Sequence, residues 1–155
     1  MIKYLNGDVF DFFEYDEYVI VPHVANDLYI WGSGFVVALM NRWPDIDMVH
    51  ESKKMKLGQT EFQNVEGNTV IASIIAQRGF PTRTQPQALS IPHLRTCMEE
   101  VYKFWAEQKA KGIEYKIMSP KFGALRSGGS WEEIEKIINE LWSEIDVTVF
   151  VYEEK

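Results

Sequence analysis

The sequence is poor in the residues from which covalent cross-links and metal centres are built. It has one cysteine, Cys97, and three histidines among 155 residues. A lone cysteine excludes a disulfide within the chain and a cysteine zinc cluster, which fits a reducing compartment. Cys97 falls beside the apolar face of a predicted helix, a position typical of a buried structural thiol. The histidines, His23, His50 and His93, share no metal-ligand spacing. We therefore expect no metal and no separate cofactor.

Basic residues are also scarce. The chain has 16 Lys and Arg against 23 Asp and Glu, which gives a formal net charge of -7. Nucleic-acid grooves and anionic membrane surfaces need a local excess of Lys and Arg, so no nucleic acid and no membrane is expected as a partner. No apolar run approaches the length of a membrane span, and residues 1–11, which include Asp8 and Asp11, do not resemble a signal peptide. We expect a cytoplasmic protein.

The chain does have enough apolar residues for one core. Hydrophobic residues make up 46% of it and charged residues 25%, a balance that argues against intrinsic disorder. A length of 155 residues suits one domain and is too short for two domains of ordinary size. We expect a single domain over residues 1–155.

Apolar runs and turn residues alternate along the chain in a pattern typical of α/β proteins. Strands are predicted at residues 2–5, 19–24, 60–65, 69–76, 115–118 and 147–152, and helices from residue 35 to Trp43-Pro44, from 45 to about 54, from 90 to about 111, and from 130 onward. The strands at 60–65 and 69–76 form a predicted hairpin. Strands alternating with helices predict a three-layer α/β/α sandwich around a parallel or mixed sheet.

A glycine loop follows the strand at residues 19–24. The loop is residues 31–34, Trp-Gly-Ser-Gly, and Phe35 then opens a helix. The unpaired N–H groups of a helix start, together with the amides of a glycine loop, form a concave site for an anion such as phosphate. The alternative interpretation is a tight turn that joins a strand to a helix.

A second glycine loop, residues 123–129, lies between the strand at 115–118 and the last helix. Ser130 and Glu133 fit a capping box at the start of that helix. Both loops leave the carboxyl ends of strands, where ligands of such sheets bind, and side by side they would surround a diphosphate. Neither loop matches a P-loop or the full dinucleotide-binding spacing, so an ATPase or a Rossmann dehydrogenase is not expected.

Three motifs in a fixed order carry a family resemblance. They are Gly7-Asp8-Val9 after the first strand, His23-Val24-Ala25-Asn26 followed by Trp31-Gly32-Ser33-Gly34, and Pro120-Lys121-Phe122-Gly123 followed by Gly128-Gly129-Ser130-Trp131. Together they resemble a macro domain over residues 2–152. They are similar to the branch that holds ADP-ribose-1''-phosphate phosphatases, terminal ADP-ribose glutamate hydrolases and many phage proteins. The resemblance implies the macro domain fold, an ADP-ribose-type small molecule as ligand and, for a phage-encoded protein, location in the host cytoplasm.

The resemblance also implies a set of ligand-binding residues. Asp8 would accept a hydrogen bond from the adenine amine, beside the backbone of Val9. The two glycine loops would wrap the distal ribose and the phosphates from either side. The implied residues are Asp8, Val9, Trp31, Gly32, Ser33, Gly34, Phe35, Gly123, Ala124, Leu125, Arg126, Ser127 and Gly128. Alternatively, Asp8 is only a turn residue.

His23 and Asn26 are the implied catalytic residues, because these positions face or adjoin the distal ribose in that branch. An imidazole titrates near neutrality and suits acid–base work, whereas the alternative is a histidine with a purely structural hydrogen bond. Asp27 is interpreted as a turn residue rather than a base. Arg126 neutralises phosphate charge or, like Arg78, is a solvated loop residue.

The chain departs from the glutamate hydrolases of that branch at two positions. Those enzymes use a lysine after the middle strand and an aspartate in the second loop, where this chain has Gln77 and residues 125–127, Leu-Arg-Ser. A lysyl-ribose intermediate needs an amine nucleophile and is not expected. The first hypothesis is an ADP-ribose-1''-phosphate phosphatase, which His23 beside Asn26 supports, whereas the missing lysine and aspartate favour a module that binds without turnover. The alternatives are a non-catalytic ADP-ribose-binding module, a de-ADP-ribosylating hydrolase, and an α/β scaffold with no nucleotide site.

Overall fold

The fold alternates strands with helices along the chain. The computed structural model describes residues 2–12, 17–28, 35–46, 55–79, 82–84, 87–124 and 128–151. Within these residues the strands are β1 (Lys3–Asn6), β2 (Val19–Asn26), β3 (Thr60–Asn64), β4 (Thr69–Gln77), β5 (Lys116–Ser119) and β6 (Val147–Val151). The α-helices are α1 (Phe35–Arg42), α2 (Ile91–Ala110) and α3 (Trp131–Leu141), and Val9–Phe12 form a short 3₁₀ helix. The predicted helix at 45–54 lies almost wholly outside the described residues.

The strands form one mixed sheet with the order β1-β6-β5-β2-β4-β3. The first five strands in that order run parallel to one another, and β3 pairs antiparallel with β4 as the predicted hairpin. The longest register joins β2 to β4, from Val19 opposite Thr69 to Asn26 opposite Gln77. The carboxyl ends of the five parallel strands therefore share one edge, which we call the carboxyl edge.

Helices cover both faces of this sheet. All nine residues of β4 are buried, as expected for a strand enclosed on both sides. Alternate side chains of β4 enter different cores: Val70 packs with α2 and α3, whereas Ile71 packs with Leu39 of α1. These two cores create three layers, and the predicted α/β/α sandwich with a mixed sheet is confirmed.

The larger core lies between the sheet and the pair α2 and α3. The residues at helical spacing in α2, namely Leu94, Met98, Val101 and Trp105, are all buried. The corresponding residues of α3 are Ile134, Ile137 and Ile138. The predicted apolar faces of both helices are confirmed.

Both predicted helix caps are wrong in detail. Ser90 and Ser130 occupy the N-cap positions of α2 and α3, but neither side chain bonds to the helix backbone. Ser90 Oγ lies 2.6 Å from His93 Nδ1 instead, because the imidazole competes with the backbone amides for the hydroxyl. The predicted capping box is not formed, and Glu133 is exposed.

Candidate functional site at the carboxyl edge

Three of the predicted motifs follow strands that end at the carboxyl edge. Asp8 comes after β1, Asn26 ends β2, and Gly123 comes after β5. β2 and β5 are parallel neighbours in the sheet, so the segments that follow them leave from the same edge. After β2 the chain goes on to β3 and β4, which lie on one side of the β2–β5 pair. After β5 it goes on to β6, which lies on the other side. This is a topological switch point, where α/β sheets bind ligands.

Asp8 shapes the turn after β1. Its Oδ1 accepts a hydrogen bond from the Phe10 amide at 3.0 Å, and its carbonyl oxygen accepts one from the Asp11 amide at 3.0 Å. These two hydrogen bonds give Asp8 a structural role in the turn. The side chain is nevertheless exposed, so its second carboxylate oxygen can accept a hydrogen bond from a ligand. Val9, by contrast, is buried in the core beneath α1.

His23 lies inside the sheet, three residues before the end of β2, because β2 continues past its predicted end to Asn26. The imidazole is 2% exposed. Its Nε2 lies 2.7 Å from Ser73 Oγ on β4, and its ring centre lies 6.4 Å from that of Phe35, the first residue of α1. The ring is thus placed beside the helix start that follows the first glycine loop, with one nitrogen held by a serine.

Short polar contacts tie the ends of β2 and β4 together. The amide of Leu28 donates to Asn26 Oδ1 at 2.9 Å, and the amide of Gly79 donates to Asp27 Oδ1 at 2.8 Å. The amide of Asp27 donates to the Gln77 carbonyl oxygen at 3.0 Å, and Gln77 Nε2 donates to the carbonyl oxygen of Gly79 at 2.7 Å. Asp27 is confirmed as a turn residue.

The second glycine loop is closed at its base. The amide of Gly129 donates a 2.9 Å hydrogen bond to the carbonyl oxygen of Gly123. Gly123 and Gly128 have φ values of 78° and 77°, in the left-handed region that favours glycine. A Cβ on Gly129 would lie 2.6 Å from the Gly123 oxygen and 2.4 Å from Leu89 Cδ2. The crossing of the chain at this point therefore requires glycine.

Several predicted ligand-binding residues lie outside the described residues, and their roles stay predictions. They are Trp31, Gly32, Ser33 and Gly34 of the first loop, and Leu125, Arg126 and Ser127 of the second. The described part of the two loops and their flanks contains four of the other predicted residues: Phe35, Gly123, Ala124 and Gly128. Arg78, which was interpreted as a solvated loop residue, is exposed. In the described part of the chain, the strands that precede the two loops, β2 and β5, end at one edge of the sheet.

Two polar residues near His23 were not predicted. Ser73 and Glu61 are 3% and 1% exposed, on β4 and β3 respectively. Ser73 could have been noticed in the sequence, because it is a polar residue in the middle of an apolar strand. Glu61 lies in an alternating strand, where its burial cannot be distinguished from exposure without the strand order.

Cys97 is a buried structural thiol, as predicted. Burial raises its pKa to about 11, and Sγ donates to the carbonyl oxygen of Gln59 at 3.4 Å. Because the thiolate is the reactive form, this environment suppresses nucleophilic chemistry. The described part of the chain contains no group of three His, Cys, Asp or Glu that could hold a metal ion. None of the helices found there has the length and apolarity that a bilayer crossing demands.

Comparison with solved structures identifies the fold. A protein of unknown function from Bacteroides thetaiotaomicron is 29% identical, with a TM-score of 0.84 over 97% of each chain. A macrodomain protein from Streptomyces coelicolor is 26% identical, with a TM-score of 0.80 over 99% of this chain and 100% of that one. This chain has the macrodomain fold.

The macrodomain fold also matches at lower identity. Thermosipho africanus DarTG, solved in complex with ADP-ribose, is 14% identical, with a TM-score of 0.74 over 97% of this chain and 41% of that one. At this identity the likeness concerns the fold alone. No protein-family model matches the sequence, and no curated protein matches it.

Proposed function

We propose that this chain binds ADP-ribose or a close derivative at the carboxyl edge. The observation that carries the proposal is that the neighbouring parallel strands β2 and β5, which precede the two glycine loops in the chain, both end at the carboxyl edge. A macrodomain-fold structure that contains ADP-ribose supports it. The net charge of -7 repels a diphosphate, so backbone N–H groups of the loops and the α3 start supply the donors.

The adenine end is proposed to lie at Asp8. The exposed carboxylate keeps one oxygen on the Phe10 amide and offers the other to the adenine amine. Asp8 follows β1, two strands away from β5 in the sheet. Neighbouring strands are about 4.8 Å apart, so the span from Asp8 to the second loop is roughly 10 Å, a length that suits an adenosine leading into a diphosphate.

We further propose that the chain hydrolyses ADP-ribose-1''-phosphate to ADP-ribose and inorganic phosphate. Water attacks phosphorus, the bond from phosphorus to the C1'' oxygen breaks, and that oxygen takes a proton. His23 is the proposed acid–base group, Asn26 orients the ribose hydroxyls, and Arg126 neutralises phosphate charge. General acid–base catalysis of this kind contributes about 10²–10⁴-fold.

The burial of His23 favours a second candidate, a module that binds ADP-ribose without turnover. An acid–base group must come within hydrogen-bonding distance of the reacting atoms. The imidazole is only 2% exposed, and Nε2 already contacts Ser73. On this alternative, His23 has a structural role beneath the site. The glycine loops bind ADP-ribose, and no residue catalyses its hydrolysis.

Calorimetric titration with ADP-ribose tests the binding proposal. We expect one site per chain and a measurable heat, with adenosine alone binding more weakly because it lacks the diphosphate that the loops hold. Absence of binding to ADP-ribose would refute the proposed function. That result would leave the α/β scaffold without a nucleotide site as the better description.

Phosphate release from ADP-ribose-1''-phosphate separates the enzyme from the binding module. We expect turnover by the wild type, a loss of about 10²-fold or more in His23→Ala, and full activity in His93→Ala, a histidine variant at the start of α2. ADP-ribose binding measured on each variant shows that the site is still formed. Binding without phosphate release supports the second candidate.

A further inference from the structure

A proline, Pro22, lies in the middle of an interior strand of the sheet. It belongs to β2, which has β5 on one side and β4 on the other, and its side chain is buried. Proline has no backbone N–H, so it is normally confined to edge strands, to the first residues of strands and to bulges. Natural sequences tend to break such local rules at functional sites. Pro22 therefore marks a place where regular pairing of the sheet is given up.

The side of β2 that lacks the N–H is the one that faces β5. Along a strand, the backbone N–H groups point alternately to the two neighbouring strands. Val19 points its N–H towards β4, because it donates to the carbonyl oxygen of Asn68, just before β4, at 3.1 Å. Ile20 and Pro22, one and three residues later, therefore direct their backbone groups towards β5. The register between β2 and β4 accordingly continues past Pro22, which lies opposite Ala72.

A second proline, Pro120, removes the next hydrogen bond between the same two strands. The Lys116 amide donates to the residue just before β2 at 3.0 Å, so Met118, two residues later, also faces β2. In a continued parallel ladder, position 22 would donate to the Met118 carbonyl oxygen, and position 120 to the Pro22 carbonyl oxygen. Both positions are proline, so neither donor exists. The carbonyl oxygen of Pro120 instead accepts the Phe122 amide at 2.8 Å.

The two prolines divide the sheet at its carboxyl edge. Among the described residues, the register between β2 and β5 ends with Ile20 opposite Ile117. β5 nevertheless stays paired with β6 as far as Ser119, and β2 stays paired with β4 as far as Asn26. One half of the sheet is therefore β1-β6-β5 and the other is β2-β4-β3. In the chain, the first glycine loop follows β2 and the second follows β5, so each half precedes one loop.

We propose that Pro22 and Pro120 are positioning residues that keep the carboxyl ends of β2 and β5 unpaired, so that the diphosphate of ADP-ribose lies over the division between the two halves of the sheet. This inference rests on the proposed function for the identity of the ligand. Hydrogen-bonded strands lie about 4.8 Å apart, and ends that are free of the ladder can stand further apart. The amides of both loops then contact the phosphates from opposite sides. A restored hydrogen bond would draw the ends together and move loop amides away from the phosphates.

Two variants, Pro22→Ala and Pro120→Ala, test the proposal, because each restores one donor from one side of the division. NMR measurement of scalar coupling across hydrogen bonds, without ligand, detects the new bond to the Met118 or the Pro22 carbonyl group respectively. We expect this coupling in each variant. We also expect the dissociation constant of ADP-ribose to rise roughly 10-fold, the effect of losing one charge-assisted hydrogen bond. Either variant is sufficient if the other does not fold, since both act on the same ladder.

The matched control is Pro92→Ala, which removes an exposed proline at the start of α2. It loosens the unfolded chain in the same way and should leave ADP-ribose affinity unchanged. Wild-type affinity in a folded Pro22→Ala or Pro120→Ala protein would overturn the proposal, and so would weaker binding without the new coupling. Failure of the wild type to bind ADP-ribose would refute the proposed function, whereas absence of the coupling from both folded variants would refute the role of the prolines.

Discussion

The backbone amide of Gly129 donates a 2.9 Å hydrogen bond to the carbonyl oxygen of Gly123, so the second glycine loop leaves β5 and reaches α3 through a closed base. A Cβ at position 129 would lie 2.6 Å from that oxygen. The close approach of these two residues links the stability of the domain to the shape of the proposed phosphate site.

Gly129→Ala should therefore weaken both stability and ADP-ribose binding. Overpacking at this crossing should cost about 1–3 kcal/mol of unfolding free energy, measured by urea denaturation. The control is Gly112→Ala at the end of α2, where φ is 87° but the added Cβ meets no atom within 4 Å. Its cost should be about 1 kcal/mol, from backbone strain alone, with binding unchanged. Wild-type stability and affinity in Gly129→Ala would contradict the prediction.

Asp8→Asn should weaken ADP-ribose binding without unfolding the turn. The asparagine carbonyl can still accept the Phe10 amide, but the charged acceptor for the adenine amine is lost. A charge-assisted hydrogen bond contributes about 1.5 kcal/mol or more, so the dissociation constant should rise roughly 10-fold. Asp11→Asn, at an exposed position in the 3₁₀ helix that follows Asp8, is the calorimetric control. Equal effects of the two variants would argue for general electrostatics rather than a contact at Asp8.

Trp105→Phe should destabilise the domain more than Trp131→Phe. Trp105 is 2% exposed and its Nε1 donates to the Tyr115 carbonyl oxygen at 2.8 Å, so the variant loses packing and leaves a buried acceptor. We expect a cost of about 2–3 kcal/mol. Trp131 is half-buried and its Nε1 bonds to the exposed Tyr4 hydroxyl, so its loss should cost less than about 1 kcal/mol. Thermal and urea unfolding of both variants measure the difference.

Alkaline pH should destabilise the wild type more than Cys97→Ala. Burial raises the pKa of Cys97 from an ordinary value near 9 to about 11. The unfolded protein therefore loses the thiol proton first as pH rises, so this contribution is complete below pH 9 and is lost by about pH 11. Two pH units correspond to about 3 kcal/mol.

The measurement is urea unfolding of both proteins at several values between pH 8 and 11. Burial also raises the pKa of Tyr115, but that residue is present in both proteins and cancels in the comparison. The variant starts from a lower stability because it leaves a cavity, so the pH slopes are compared rather than the absolute values. Parallel slopes would contradict the assignment to Cys97.

Local patterns were sufficient to predict most of the elements. The strand predicted at residues 69–76 is β4, Thr69–Gln77, because a near-continuous apolar run is typical of a strand covered on both faces. The helical spacing of Leu94 and Met98 likewise predicted the buried face of α2. The two serine caps were wrong because a hydroxyl has competing partners, such as His93 for Ser90, that only the folded chain brings near.

Relationships between distant segments could not be predicted in the same way. The burial of His23 depends on β2 continuing to Asn26, where pairing with Gln77 of β4 extends the strand. The positions of Glu61 and His23 opposite Ser73 depend on two cross-strand registers, which no single segment encodes. The shared edge at which β2 and β5 end could be predicted, because the carboxyl ends of parallel strands meet at one edge of a sheet.

The pairing of β1 with β6 has a consequence for the newly made protein. Lys3 lies opposite Thr148, so β1 can complete its pairing only after β6 has been synthesised. At 5–20 residues per second that delay is roughly 10–30 s. β1 is the outermost strand and all four of its residues are exposed, so the inner sheet can assemble on the ribosome while β1 is still waiting. The pairing of β1 with β6 then closes a contact between segments made at different times in synthesis.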